Sequence, residues 1–222
     1  MVWKYYSVVL IALALLFAGC SNHPPSAAQF MNVKKNGMDF VVGGAVRIGD
    51  VDNREVPYGP KNNVAHDQYY SYEEGNWNLD IAWLGTISYV VLGLGLEDYT
   101  YRMFFGPRFQ YLGLQGWAGL SPSESRDDKK ISNVVGGVML IEQIPISEKF
   151  KVGFSEHISR NSYKVINHTE CCSMNEIYAD QYNEFGVGAY LAYKGFSFEF
   201  RYGREIGEPR NRFYFMLNYG SF

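Results

Sequence analysis

The sequence predicts an all-β protein, a single antiparallel up-and-down barrel of the transmembrane type, from three observations. From Met38 onward apolar and polar residues alternate with a period of two, which is the period of a strand rather than a helix. One face of nearly every predicted strand is bulky and aromatic, while the other carries glycine, small polar groups and charges of both signs. Aromatic residues make up 17% of the chain and concentrate toward strand ends, as in the aromatic girdles of membrane barrels.

Composition excludes several other classes of protein. The formal net charge of −3 provides no basic field, so we expect no nucleic-acid partner. The apolar fraction of 47% is too high for a disordered chain. A length of 222 residues suits one barrel domain, and residues 38–222 are assigned to it.

The N-terminus is predicted to be a lipoprotein signal peptide covering residues 1–19. Its apolar stretch, residues 8–18, is too short to cross a bilayer as a helix. Residues 16–20, Leu-Phe-Ala-Gly-Cys, resemble a bacterial lipobox, which implies that Cys20 is diacylated and begins the mature chain. An ordinary secretory signal is the alternative. Residues 20–37 lack an apolar period and are predicted to be a flexible lipidated tether. Together with the predicted barrel, the lipobox implies that the protein lies in a bacterial outer membrane and is anchored through Cys20.

Eight strands are predicted, and ten are the alternative. The two longest predicted strands, 76–94 and 99–120, would each be split if Gly85 or the Gly106-Pro107 pair forms a turn. Lys194 and Gly195 are suited to a tight hairpin. Outer-membrane barrels keep short turns in the periplasm and long loops outside, so the long polar segments 51–75, 121–130 and 161–181 are expected outside. The eight predicted strands lie near residues 38–50, 76–94, 99–120, 131–144, 149–160, 182–194, 196–205 and 211–222.

Alternation alone does not decide which face of the barrel is inside. A soluble, lipid-anchored, calycin-like barrel would bury the bulky face around a small apolar ligand, whereas a membrane barrel would turn that face to lipid. The glycine and paired charges of the other face favour a polar lumen. Residues 105–111 (FGPRFQY) and 116–120 (GWAGL) resemble the Gly-Pro-aromatic and Gly-rich strand pairs of small outer-membrane barrels of the OmpX, Ail and OmpA-transmembrane type. That resemblance implies a barrel architecture and no particular function.

Charged residues on the predicted lumen face are interpreted as a structural network rather than a pathway, because side chains fill the interior of an eight-stranded barrel. The members of this network are Asp39, Arg47, Asp80, Arg102, Arg108, Lys151, Glu184, Glu199, Arg201 and Arg212.

One motif suggests catalysis. His157 and Ser159 resemble the His-x-Ser of outer-membrane lipid A deacylases, in which the Ser attacks an acyl ester and the His acts as general base. The resemblance makes Glu170 the candidate that orients the imidazole. However, the strand phase places His157 and Ser159 in the lumen, away from lipid. The deacylase-like acyl hydrolase is therefore an alternative to a non-catalytic function.

The remaining candidates lie in the segment 161–181. Cys171 and Cys172 are adjacent and are candidates for a disulfide in an oxidising compartment. Adjacent cysteines rarely ligate one ion together, so we expect no metal there and no cofactor elsewhere. The leading prediction is a non-catalytic outer-membrane barrel lipoprotein that contacts outer-membrane lipid. It would present loops 51–75, 121–130 and 161–181 to an extracellular protein or glycan, for binding, adhesion or envelope integrity.

Overall fold

A computed structural model describes residues 23–49, 77–97, 100–120, 134–168 and 175–220. In these ranges the chain forms ten antiparallel strands, which close into a barrel by pairing of the first strand with the last. A short helix precedes the first strand. The elements are α1 (Ala27–Asn32), β1 (Met38–Gly49), β2 (Trp77–Ile87), β3 (Val90–Glu97), β4 (Thr100–Pro107), β5 (Leu112–Leu120), β6 (Val134–Pro145), β7 (Phe150–His168), β8 (Asn175–Tyr193), β9 (Phe196–Glu205) and β10 (Asn211–Gly220).

The prediction of eight strands is wrong, and the ten-strand alternative is correct. The segment 76–94 turns at Ser88 and Tyr89, and Gly85 lies inside β2, where it pairs with Leu92. Ser88 adopts a φ of 57°, a conformation that glycine or asparagine usually supplies in a two-residue hairpin, so its sequence gives little sign of a turn. The segment 99–120 turns directly after the Gly106-Pro107 pair, at residues 108–111.

The bulky face of each strand points outward and the polar face points into the lumen. On β9, Phe196, Phe198 and Phe200 are exposed. The residues that alternate with them, Ser197, Glu199 and Arg201, are almost completely buried. This arrangement is that of a transmembrane-type barrel, whose outer surface meets hydrocarbon. The soluble calycin-like alternative requires the reverse arrangement and does not fit.

Two carboxylates interrupt the apolar outward face. Glu142 on β6 and Glu156 on β7 are both exposed. Glu156 pairs with Leu140 on one side and with Val187 on the other. Neither residue was predicted from the sequence to face outward, because a single polar residue in a strand that otherwise alternates does not change the period.

The connections divide the barrel into two ends. The turn end carries the short connections at residues 88–89, 108–111, 146–149 and 194–195, together with the start of β1. Lys194 and Gly195 have φ values of 46° and 87°, which confirms the predicted tight hairpin. The loop end carries the connections 50–76, 98–99, 121–133, 169–174 and 206–210. The predicted loops 51–75 and 121–130 lie outside the described residues.

The expected loop 161–181 is largely strand. β7 and β8 are 19 residues long each, and their pairing continues as far as His168 opposite Asn175. A transmembrane β-strand needs only about 9–11 residues, so this hairpin extends well past the neighbouring strands at the loop end. The polar composition that predicted a loop is also compatible with a two-stranded ribbon that projects into water.

The N-terminal segment lies inside the barrel. Residues 23–37 are here called the lumen segment, and its helix α1 contacts β5, β6, β8, β9 and β10. Ala27, Ala28 and Phe30 have no exposed surface. This differs from the expected flexible tether at 20–37, because the lumen charges find their partners in the backbone of this segment. Within the described residues no helix has the length and hydropathy needed to cross a bilayer.

Candidate functional site

The centre of the lumen segment is anchored by two charged residues of β9. The Glu199 carboxylate accepts hydrogen bonds from the Ser26 hydroxyl and from the backbone N–H groups of Ala27 and Ala28, the latter two at 3.1 Å. These N–H groups belong to the first turn of a helix, where they have no partner within the helix. Ser26 also caps α1, because its hydroxyl accepts a hydrogen bond from the Gln29 N–H at 3.1 Å.

Arg201 holds the chain just before the helix. Its Nη1 donates to the Pro24 carbonyl at 2.8 Å, and its Nη2 donates to the Pro25 carbonyl at 2.7 Å. The same Nη2 lies 2.7 Å from the Glu199 carboxylate. Both charges are buried, so each is compensated by the other and by the backbone of the lumen segment.

The end of α1 is held from the turn end of the barrel. Arg108 donates to the carbonyls of Met31 and Val33, and the Lys151 ammonium donates to the Asn32 side chain. The last carbonyls of a helix lack partners within the helix, and cations stabilise them. The two basic residues therefore act at the opposite end of the helix from Glu199.

The beginning of the lumen segment is held near the loop end. The His23 N–H donates to the Glu97 carboxylate at 3.0 Å, and the Asn78 side chain donates to the same oxygen at 2.7 Å. Glu97 also forms an ion pair with Arg102. His23 and Glu97 were not predicted from the sequence, although the alternation of Gly93 and Gly95 with leucines indicates that Glu97 lies on the lumen face.

A second network of lumen side chains joins the strands directly to one another. Glu184 on β8 lies 3.1 Å from His157 Nε2 and accepts a hydrogen bond from the Tyr214 hydroxyl at 2.8 Å. The guanidinium of Arg212 stacks on the Tyr182 ring at 3.8 Å and donates to Glu205 at 2.7 Å. All of these partners come from the strands themselves.

Glycines on the lumen face make this network possible. Gly186 faces the imidazole of His157, and Gly203 faces the Glu184 carboxylate. A Cβ at either glycine would overlap the opposite side chain. The pairing of small with large residues explains why the predicted lumen face combined glycine with charge.

The ten charged residues predicted on the lumen face are all on it. Seven are buried and three are partly buried. The ion pair between Glu199 and Arg201 joins two of them, and Arg212 approaches Glu184 at 3.9 Å. The buried residues are Asp39, Arg47, Arg102, Glu184, Glu199, Arg201 and Arg212, and the partly buried ones are Asp80, Arg108 and Lys151.

The catalytic candidates lie in the lumen. His157 is 2% exposed and Ser159 is 4% exposed, so neither reaches the outer surface of the barrel. The imidazole contacts Glu184, and the Ser159 hydroxyl accepts a hydrogen bond from the Asn161 side chain at 3.0 Å. Glu170 lies outside the described residues. The His157 and Ser159 side chains therefore face the lumen, as the strand phase predicted.

The other predicted sites are not described by the structure. Cys20, Cys171 and Cys172 all lie outside the described residues. In the part of the chain that is described, no group of three or more His, Cys, Asp or Glu side chains is placed to hold a metal ion.

No family model and no curated protein matches the chain. Among solved structures, the chain is similar to Ail, the attachment invasion locus protein of Yersinia pestis, at 9% identity and a TM-score of 0.33. Ail in complex with the heparin analogue sucrose octasulfate matches at 11% identity and the same TM-score. Each match covers 84% of this chain and 99% of the Ail chain. The closed antiparallel barrel described above is the architecture that the resemblance to small outer-membrane barrels implied.

Proposed function

We propose that the protein is an outer-membrane β-barrel that binds an extracellular protein or glycan through its loop end. The proposal rests on what occupies the lumen and on the different lengths of the connections at the two ends of the barrel. The lumen is occupied by residues 23–33, the turn end has connections of only a few residues, and the loop end carries the long connections and the extended β7–β8 hairpin.

The outward face supports a membrane location for this barrel. It is predominantly apolar, apart from exposed residues such as Glu142 and Glu156, and it carries aromatic pairs such as Phe196 with Tyr219, whose ring centroids lie 4.6 Å apart at the turn end. Tyr89 and Phe109 form a similar pair at 5.5 Å, also at the turn end. Aromatic residues at such positions are typical of the interfacial girdles of membrane barrels.

Binding is tested with the purified barrel in lipid nanodiscs. The probes are arrays of neutral and sulfated glycans, together with immobilised collagen and fibronectin. In one variant, residues 164–179 are replaced by Asn-Gly, which joins Tyr163 to Asp180 across a pair that is already in register. In a second variant, residues 53–73 are replaced by a Gly-Ser linker.

We expect at least one probe to bind the wild type and at least one loop variant to weaken that binding by roughly tenfold, equivalent to about 1.4 kcal/mol. Glu148→Ala at the turn end is the matched control and should leave binding unchanged. The proposal fails if no probe binds, or if both loop variants bind as well as the wild type.

We also propose that Cys20 carries lipid. The support is the lipobox at residues 16–20. Metabolic labelling with radioactive palmitate should mark the wild type and leave Cys20→Ala unlabelled. An unlabelled wild type would favour the ordinary secretory signal.

A further inference from the structure

The lumen segment crosses the barrel from one end to the other. At the turn end, the Asn36 side chain accepts a hydrogen bond from the Ser88 N–H at 3.0 Å, and the Gly37 carbonyl accepts one from the Thr86 N–H at 3.0 Å. Toward the loop end, the His23 N–H donates to Glu97, the last residue of β3. The His23 Nε2 also lies 3.1 Å from Asn78 Oδ1, on the second residue of β2.

Between these two points the lumen is filled. Arg201 holds the carbonyls of Pro24 and Pro25, and Glu199 holds the first turn of α1. Ala27, Ala28 and Phe30 have no exposed surface. The polar side chain of Gln29 is also buried, and its Nε2 donates to the Ser197 hydroxyl at 3.0 Å. Residues 24–33 therefore occupy the middle of the lumen.

We propose that the chain enters the barrel from the loop end, so that the mature N-terminus lies on the outer side of the membrane. This inference rests on the proposed outer-membrane function, which places the loop end outside. Residue 20 is three Cα steps from His23 and therefore no more than about 11 Å away. To reach the turn end it would have to pass back through the space that residues 24–33 occupy.

The rim of the barrel beside His23 has a short connection. β3 ends at Glu97 and β4 begins at Thr100, so only residues 98–99 join them. Because the His23 N–H is bonded to Glu97, the chain that precedes His23 starts beside the loop-end terminus of β3. A lipid attached to Cys20 would therefore enter the leaflet on the loop side, which is the outer leaflet.

The accessibility of an epitope in a Gram-negative host tests on which side of the outer membrane the mature N-terminus lies. A short epitope is inserted between Ser21 and Asn22, and antibody binding is measured on intact and on permeabilised cells. The same epitope between Lys61 and Asn62 reports the loop end, and between Ser147 and Glu148 it reports the turn end. Folding of each variant is checked by the heat-dependent shift of its mobility in SDS gels.

We expect the N-terminal and Lys61 epitopes to be detected on intact cells, and the Ser147 epitope only after permeabilisation. If the N-terminal epitope requires permeabilisation while the Lys61 epitope does not, the inference is overturned and the proposed function stands. If the Lys61 epitope also requires permeabilisation, the proposed orientation itself is wrong.

Alkylation tests the position of the lumen segment independently of the orientation. Gln29→Cys is made in a chain whose Cys20, Cys171 and Cys172 are replaced by serine. Gln29 is 2% exposed, so we expect the thiol of the folded variant to be protected from a maleimide and to react once the barrel is unfolded. Ser147→Cys, at the exposed turn 146–149 of the same chain, is the control and should react in the folded barrel. A folded Gln29→Cys variant that reacts as fast as Ser147→Cys would show that the segment does not occupy the lumen.

Discussion

The two faces of β9 stabilise the barrel in different ways. The outward residues Phe196, Phe198 and Phe200 expose large apolar side chains on the outer surface of the barrel. Phe200 stacks on Phe213 with ring centroids 6.0 Å apart. The lumen residues that alternate with them, Ser197, Glu199 and Arg201, each bond to particular atoms of residues 24–29. The outward face therefore requires apolar volume, whereas the lumen face requires specific partners. Substitutions on the two faces should differ in the same way.

The largest effect is expected at Glu199. In Glu199→Ala the first turn of α1 and the Arg201 guanidinium lose their anion, and breaking one side of a buried pair costs about 3–5 kcal/mol. The measurement is the free energy of unfolding from urea titration in lipid vesicles. Glu199→Gln, which keeps an acceptor oxygen, is the matched control and should lose less. Equal losses in the two variants would show that the charge at residue 199 has no role.

On the outward face the cost should depend on depth and not on a partner. Phe215 pairs with Phe200 near the middle of both strands, and Tyr219 lies near the turn end. Phe215→Arg should cost about 2–4 kcal/mol, and Tyr219→Arg about 0–1 kcal/mol. Phe215→Leu keeps an apolar side chain and controls for lost volume. Similar costs for arginine at both positions, from the same urea titrations, would contradict the assignment of this face to lipid.

Glu156 offers the opposite test, because it is a carboxylate on the apolar outward face. Replacing it with leucine should stabilise the barrel by about 1–2 kcal/mol, since an acidic side chain facing lipid is unfavourable, though less so than a basic one. Glu148→Leu in the turn 146–149 is the control and should change stability little. A loss of stability in Glu156→Leu would indicate that a partner covers this part of β7.

The smallest effect is expected at Ser159. Its hydroxyl is hydrogen-bonded to the side chain of Asn161 in the lumen, so Ser159→Ala should cost about 1 kcal/mol. It should not change the acyl content of lipid A, which mass spectrometry measures in cells with and without the protein. A difference of one acyl chain that disappears in Ser159→Ala would restore the deacylase alternative and overturn the lumen assignment.

The sequence predicted the faces well and the strand count less well. Alternation placed Phe198 outward and Glu199 inward, and the structure confirms both positions. The hairpin at Ser88 and Tyr89 was missed because neither residue type favours the positive φ that Ser88 adopts there. The lumen segment was missed because its proline and polar residues resemble a linker, although Ser26 followed by Ala27, Ala28 and Gln29 is a recognisable helix start.

What the sequence by itself determined is therefore local. The face of each strand residue depends on its immediate neighbours, and the period of two records it directly. The tertiary structure alone decided what fills the lumen and which groups neutralise its charges. The bond between Ser26 and Glu199 joins residues 173 positions apart, and it exists only because closure of the barrel leaves an interior that the N-terminal segment can enter. Buried charges need partners from any part of the chain that can reach them, and which part does so depends on the closed three-dimensional fold.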